Sequence, residues 1–219
     1  NYGAGVIAAI MPVRGRADQT ARNVKRLLAT AGRVEWQLWC VTGGEPELAT
    51  VLHEAGCKVM AYHRPLTYWE ALKWGTDSSS DAPFIANLAN DLLPGRDWLS
   101  RALAEYRCCF GTRDAMIGFN DGIHGEGLSP HFLISRGLLN QLGGWPIWYR
   151  HEYGDAELCA RAQALGVYSK APWAVLYHDH PFVAAENDDA IYQEGQASRE
   201  ADAALFMERR RQGWPRVSP

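Results

Sequence analysis

The residues with the clearest potential for chemistry are Asn90 and Asp91, which close an apolar run that begins at Phe84. Such a run is typical of a buried strand, so the pair is predicted at its carboxyl end, where open α/β sheets bind ligands. A carboxylate there could hold a divalent cation that bridges nucleotide phosphates, because hard oxygen ligands suit Mg²⁺ and Mn²⁺. The alternative is that both residues only initiate a turn before a helix near Asp97.

Alternating strands and helices must position this pair. A helix through Trp69 and Leu72 precedes the strand at Phe84, and further elements come before it. Strands that alternate with helices at this spacing indicate an α/β fold with a mainly parallel sheet covered on both faces. The segment from Pro12 to Arg16 stands where dinucleotide dehydrogenases and P-loop enzymes carry glycine-rich loops, which argues against both classes. The earlier predicted elements are strands at 6–11, 36–41 and 58–62 and helices at 18–28 and 46–55.

Composition restricts the class of protein further. The 219 residues, 47% of them hydrophobic, fit one domain with a substantial core. A net charge of -3 leaves no basic footprint for nucleic acid. The five cysteines lack metal-ligand spacing, and Cys40 and Cys159 lie in apolar patterns, so we expect core thiols and a cytoplasmic, reducing compartment. No apolar run approaches the roughly 18 residues of a membrane span, and no signal pattern opens the sequence.

Four separated motifs form one ordered pattern. They are an apolar strand followed by Pro-x-x-x-Arg at 12–16, Asn-Asp-x-x-Pro at 90–94, Leu-Gly-Gly-Trp at 142–145 with Gly-Asp-x-Glu-Leu-x-x-Arg at 154–161, and a late strand ending in His178. The pattern covers about residues 5–181 and resembles the GT-A glycosyltransferases, most closely their large family 2 of inverting enzymes. The resemblance implies a single Rossmann-like domain at 1–182, with a nucleotide-binding half at about 5–94 and an acceptor-binding half at about 95–182. A helical tail at 183–219 would follow.

The resemblance also implies roles for individual residues. Asn90 and Asp91 would take the place of the metal-binding Asp-x-Asp motif, although Ala89 replaces its first carboxylate. Asp155 would be the catalytic base and His178 a late metal ligand, with His180 two residues further on as its rival. The acceptor would contact Gly144 and Trp145. The implied donor-binding residues are Pro12, Val13, Arg14, Arg16, Thr42, Lys73, Asn90 and Asp91.

Simpler interpretations stay open for several of these residues. Asp155 could merely cap its helix. Trp145 could be a core aromatic instead of a flat face for an acceptor sugar. Arg14 and Arg16 could be exposed charges instead of planar forks for phosphate. Glu152, Glu157 and the cluster Arg209, Arg210 and Arg211 are expected to be solvated, and His124 and His131 to be structural or surface groups.

The function expected from this pattern is the transfer of a sugar from a nucleotide-diphosphate sugar to an acceptor hydroxyl. The reaction would be assisted by Mn²⁺ or Mg²⁺ and would invert the anomeric centre, with Asp155 as general base. The acceptor could be a saccharide, a lipid-linked sugar, a small molecule, a protein or a modified nucleic-acid base. The alternatives are a sugar nucleotidyltransferase and a non-catalytic nucleotide-sugar or carbohydrate-binding module of the same fold.

Overall fold

The computed structural model describes residues 7–79, 81–178, 193 and 197–215 of the chain. Strands and helices alternate along the first half, as the sequence predicts. The strands are β1 (Ile7–Val13), β2 (Trp36–Gly43), β3 (Lys58–Tyr62), β4 (Phe84–Asn87), β5 (Leu92–Pro94), β6 (Met116–Asn120), β7 (Phe132–Ser135) and β8 (Tyr168–His178). The helices are α1 (Ala17–Thr30), α2 (Pro46–Glu54), α3 (Tyr68–Ser78), α4 (Trp98–Phe110), α5 (Arg136–Gln141), α6 (Gly154–Ala164) and α7 (Arg199–Arg211).

All eight strands join one mixed sheet in the order β3-β2-β1-β4-β7-β6-β8-β5. The pairs among β3, β2, β1 and β4 are parallel, and so is the pair β6 and β8. The remaining three pairs are antiparallel. The carboxyl ends of β1, β2 and β4 therefore meet at one edge of the sheet, where an open α/β sheet binds its ligands.

Helices cover both faces of this sheet, as predicted. One core contains buried leucines from α1, α2 and α4, and the other contains buried leucines from α3, α5 and α6. The continuous apolar sequence of β1 explains its central position, because a strand buried on both faces has no polar alternation. Cys40 and Cys159 lie in these cores, and all five cysteines are free thiols.

The structure corrects the predicted position of Asn90 and Asp91. β4 ends at Asn87, so the pair lies in the turn that follows and not at the strand end itself. β5 begins immediately afterwards at Leu92 and pairs with the end of β8, a contact that the sequence did not predict. Three residues are too few to show a periodic pattern, and only the antiparallel partner makes them a strand.

None of the described helices is both long enough and apolar enough to cross a bilayer.

Candidate active site

Asp91 lies between two basic side chains at the carboxyl edge of the sheet. Nη1 of Arg16 is 3.6 Å from Oδ2 of Asp91, and Nε2 of His178 is 3.4 Å from Oδ1. Arg16 comes from the loop after β1 and His178 from the end of β8, where it is the register partner of Leu92. The pairing of β5 with β8 brings Asp91 close to His178, and the loop after β1 adds Arg16. All three residues belong to the sequence motifs and are distant from one another in the chain.

Asn90 fixes the turn that carries Asp91. Its side-chain amide donates to the hydroxyl of Thr20 at 3.1 Å, and its carbonyl accepts from the side chain of Asn23 at 2.9 Å. Both partners lie on the buried side of α1. Asn90 therefore ties the turn to α1, and the structure supports a positioning role for this residue.

The electrostatics of the site favour an ionised Asp91. Burial by itself raises the pKa of Asp91, but the interaction with His178 and the charges of His131 and Arg16 lower it to about 2. Burial alone would lower the pKa of His178. The interaction with Asp91 is stronger, so the pKa of His178 lies above its ordinary value. Each residue of the pair stabilises the charged form of the other.

Asp91 and His178 are the residues that could hold a divalent cation. Oδ1 of Asp91 is buried and, within the described residues, makes no hydrogen bond of normal length. Its distance of 3.4 Å from Nε2 of His178 suits a shared ion. Two ligands at about 2.1 Å from one octahedral ion lie about 3 Å apart. The described residues contain no group of three or more His, Cys, Asp or Glu side chains that could hold a metal. Phosphate or water oxygens would have to complete the coordination, and His180 lies outside the described residues.

Asp155 occupies the first turn of α6 and is partly exposed. Tyr153 precedes this helix with a left-handed φ of 66° and supplies no side-chain cap. Gly154 packs so closely on Trp69 that a Cβ atom would lie 2.3 Å from the indole ring. Burial raises the pKa of Asp155, and this effect exceeds the opposing interaction with the backbone of Ala156. A raised pKa makes this carboxylate a stronger base than an ordinary aspartate.

The buried phenol of Tyr68 lies within range of the charges of both carboxylates. Burial is the main cause of its raised pKa, and the charges of Asp155 and Asp91 both raise it further. Its hydroxyl donates to the carbonyl of Leu88 at 3.2 Å and accepts from the side chain of Asn87 at 3.3 Å. Asp91 and Asp155 therefore act on the same phenol. Neither Tyr68 nor Asn87 belongs to a sequence motif, so only the fold identifies them.

A cavity of about 290 Å³ opens beside the loop after β1. Arg14 and Gly15 line one side, and Gly43, Gly44, Glu45 and Pro65 line the other. The loop is held by a hydrogen bond of 2.8 Å from the amide of Gly15 to the carboxylate of Glu45. Pro12 and Val13 end β1 nearby, and the buried hydroxyl of Thr42 has no hydrogen-bond partner in the described chain. This is the place in which the sequence analysis expects the donor nucleotide.

Other predicted site residues lie in different surroundings. Lys73 is half exposed on α3 and pairs with Asp77 at 2.6 Å. Gly144 follows Gly143 in a loop, and both have positive φ angles. Trp145 is 4% exposed, packs on Trp69 and Phe132, and donates to the hydroxyl of Thr76 at 2.8 Å. The structure therefore supports the core interpretation of Trp145, because its ring offers no free face to an acceptor.

A polar network that the motifs did not indicate holds the loop after β6. Asp121 is 2% exposed, and its carboxylate forms a hydrogen bond with Nδ1 of His124. The same carboxylate accepts hydrogen bonds from the backbone amides of Ile123 and His124. The ammonium group of Lys170 donates to three carbonyls of the same loop, at 2.6, 3.0 and 3.2 Å. These polar contacts fix the loop against the end of β8, since the carbonyl of Asp121 also accepts from the amide of His178.

Two predictions of solvated charges were wrong. Glu157 has a fully buried side chain, and Arg209 is 5% exposed. Arg209 of α7 pairs with Glu157 of α6, so this helix packs on α6 and Arg209, the first residue of the arginine cluster, is not solvated. Sequence spacing could not show a partner 52 residues away.

No protein-family profile matches the chain, and no curated protein sequence is significantly similar to it. Solved structures match its fold. One is a mannosyltransferase from Pyrobaculum calidifontis in complex with GDP-Man and Mn²⁺, at 14% identity and a TM-score of 0.64. The match covers 81% of this chain, which spans 58% of the length of the mannosyltransferase.

The fold also matches glucosyl-3-phosphoglycerate synthase from Mycobacterium tuberculosis. The complex with Mn²⁺, UDP and glucosyl-3-phosphoglycerate matches at 14% identity and a TM-score of 0.64, over 93% of this chain and 79% of that one. A complex with Mn²⁺, UDP-Glc and phosphoglyceric acid matches at 16% identity over 96% and 81% of the two chains, again with a TM-score of 0.64. The predicted GT-A fold is therefore confirmed.

Proposed function

We propose that this protein is a metal-dependent glycosyltransferase that moves a sugar from a nucleoside diphosphate sugar to an acceptor hydroxyl. The observation that carries the proposal is the convergence of Arg16, Asp91 and His178 at the carboxyl edge of a GT-A sheet. The similar structures with GDP-Man or UDP-Glc and Mn²⁺ support this donor class. A carboxylate and an imidazole 3.4 Å apart in that place fit a cation that accompanies a diphosphate.

The donor would lie along the loop after β1. Its nucleoside fits the cavity beside Arg14 and Gly43, and its diphosphate would extend towards Asp91. Arg16 is suited to bind a phosphate oxygen, because its guanidinium group already lies 3.6 Å from Asp91. Asp91 and His178 would hold the divalent cation, which when bound neutralises the charge that develops on the departing diphosphate.

Asp155 is the proposed general base of an inverting reaction. The acceptor oxygen forms a bond to the anomeric carbon while its proton moves to the Asp155 carboxylate. The bond from that carbon to the diphosphate oxygen breaks, and the electron pair leaves with the nucleoside diphosphate. Burial favours this role, because it raises the basicity of Asp155 above that of an ordinary aspartate.

Two strained residues border the proposed site. Arg16 and Tyr153 adopt left-handed φ angles of 49° and 66°, and each immediately precedes the helix at one half of the site. Non-glycine residues in this region cost free energy and are often found at functional sites. Asp97 has the same conformation before α4, away from the site, so this conformation is also used at an ordinary helix start.

The test is a thermal-shift screen of nucleoside diphosphate sugars with and without Mn²⁺, followed by an assay for nucleoside diphosphate release. A true donor should raise the melting temperature only with the metal, because a ligand that binds the native state stabilises it. Slow release of nucleoside diphosphate with water as acceptor should follow. A shift without release would indicate a non-catalytic binding module, and release of pyrophosphate from a nucleoside triphosphate and a sugar phosphate would indicate a nucleotidyltransferase. The control is Asp77→Asn, which changes an exposed carboxylate on α3 and should show the same melting-temperature shift and the same nucleoside diphosphate release as the parent.

A further inference from the structure

His131 is a buried imidazole that no group in the described part of the chain explains. The residue immediately precedes β7 and is 3% exposed. Neither nitrogen of its ring has a hydrogen-bond partner among the described residues. Leaving buried polar atoms unpaired is costly, and such atoms in a native protein require an explanation. His131 is therefore a place where a missing polar partner is expected.

The position of His131 indicates what that partner is. Its ring meets the ring of His178 edge to face, with the centroids 5.3 Å apart, and His178 in turn lies 3.4 Å from Asp91. Oδ1 of Asp91 is also buried, and among the described residues it makes this ion-pair contact with His178 but no hydrogen bond of normal length. Unsatisfied atoms of two residues thus lie around the end of β8, at the site proposed for the metal and the diphosphate.

The backbone, and not the imidazole, holds His131 in place. The side chain of Asn87 accepts from the amide of Phe132 at 2.7 Å and donates to the carbonyl of Pro130 at 2.8 Å. The carbonyl of His131 itself accepts from the amide of Phe119 at 2.9 Å. Because its neighbours on both sides are fixed in this way, the imidazole is preorganised while its own nitrogens stay unused.

We propose that His131 binds the donor diphosphate, with one ring N–H donating to a phosphate oxygen. A neutral N–H donor suits an anion, and a hydrogen bond to a charged oxygen is stronger than one between neutral groups. The nearby carboxylate of Asp91 would repel a phosphate that arrived without a cation, so His131 acts only when metal and diphosphate are both bound. This inference rests on the proposed function and adds a donor-binding residue that no motif contains.

The experiment compares the parent with His131→Phe and His131→Gln by calorimetric titration and thermal unfolding. Phenylalanine keeps a planar ring, somewhat larger than imidazole, and removes both nitrogens, whereas glutamine retains a donor and an acceptor. The exposed His53 provides the control His53→Phe. The probes are Mn²⁺ alone, then GDP or UDP, whichever binds the parent more tightly, with and without Mn²⁺.

We expect His131→Phe to weaken nucleoside diphosphate binding in Mn²⁺ by about 10- to 100-fold, as for the loss of a hydrogen bond to a charged group. His131→Gln should recover part of this loss, and affinity for Mn²⁺ alone should not change. Without ligand, His131→Phe should melt at or above the temperature of the parent, because two unpaired polar atoms have been removed.

Three results would overturn the proposal. Unchanged nucleoside diphosphate affinity in His131→Phe would mean that the imidazole has no ligand role. A loss of affinity for Mn²⁺ alone would make His131 a metal ligand instead. A lower melting temperature without ligand in His131→Phe that His131→Gln restores would show that the imidazole already has a polar partner, such as a buried water. If the parent itself binds no nucleoside diphosphate, the proposed function fails, and this outcome is distinct from all three.

Discussion

The guanidinium group of Arg209 forms a two-pronged ion pair with the carboxylate of Glu157. Nε contacts Oε2 and Nη2 contacts Oε1, both at 2.8 Å, and Glu157 is fully buried. Tyr149 donates to the same carboxylate at 2.9 Å, and the guanidinium also lies 4.0 Å from the ring centre of Trp148. This pair joins α7 to α6. Glu157 lies two residues after Asp155, the proposed base, in the same helix.

Breaking this pair should destabilise the protein strongly. We expect Arg209→Leu to lower the free energy of unfolding by about 3 kcal/mol or more, because a buried carboxylate loses its main partner. Urea unfolding followed by tryptophan fluorescence measures the change. The control is Arg211→Leu, which removes an exposed pair with Glu208 and should have little effect. Equal effects of the two variants would contradict the importance of the buried pair.

The same pair predicts a dependence of stability on pH. Burial raises the pKa of Glu157, but Arg209 and Tyr149 outweigh it and leave the pKa below its ordinary value. A lowered pKa in the folded state means that the contribution to stability is present above the ordinary glutamate pKa and is lost as the pH falls through the lowered one. The difference in unfolding free energy between the parent and Glu157→Gln should therefore shrink below about pH 4. A difference that stays constant down to pH 2 would exclude this linkage.

Asp202 of α7 should order the loop that leads to the proposed base. Its carboxylate accepts from the amide of Arg150 at 3.0 Å and from those of His151 and Glu152 at 2.9 Å each. We expect Asp202→Ala to accelerate hydrogen exchange at these three amides, since they lose their acceptor. The exposed Glu200 provides the control Glu200→Ala. Unchanged exchange at all three amides would show that other contacts order the loop.

Asp155→Asn should abolish transfer and spare donor binding. The amide keeps the shape of the side chain but cannot take the proton, so turnover should fall by roughly 10²- to 10⁴-fold. Calorimetric titration with Mn²⁺ and nucleoside diphosphate should give the affinity of the parent. Asp77→Asn is again the control, and turnover within about tenfold of the parent would remove Asp155 from the role of base.

Asp91→Ala and His178→Ala should each remove the stabilisation by nucleoside diphosphate that depends on Mn²⁺. Both side chains would be ligands of the ion, and the 3.4 Å contact between them links their effects. Thermal shifts with a Mn²⁺ titration test this. His180→Ala should retain the shift, and a loss in that variant alone would reverse the choice between the two histidines.

The predicted fold followed from local patterns, which do not need distant contacts. The apolar run of β1, the strand at Lys58–Tyr62 and the amphipathic helices are each defined within a few residues. The order and spacing of the Pro12, Asp91 and Asp155 motifs carried the resemblance that predicted a GT-A fold.

The chemical surroundings of those residues depended on the tertiary structure. Burial of Glu157 and Arg209 requires α7 to meet α6 across 52 residues, and the sequence alone gives two charges typical of a surface. Burial of Trp145 and the unpaired nitrogens of His131 likewise depend on what packs around them. Periodicity reports which face of an element is apolar, whereas the partner of a polar group depends on the long-range packing that brings two distant segments together.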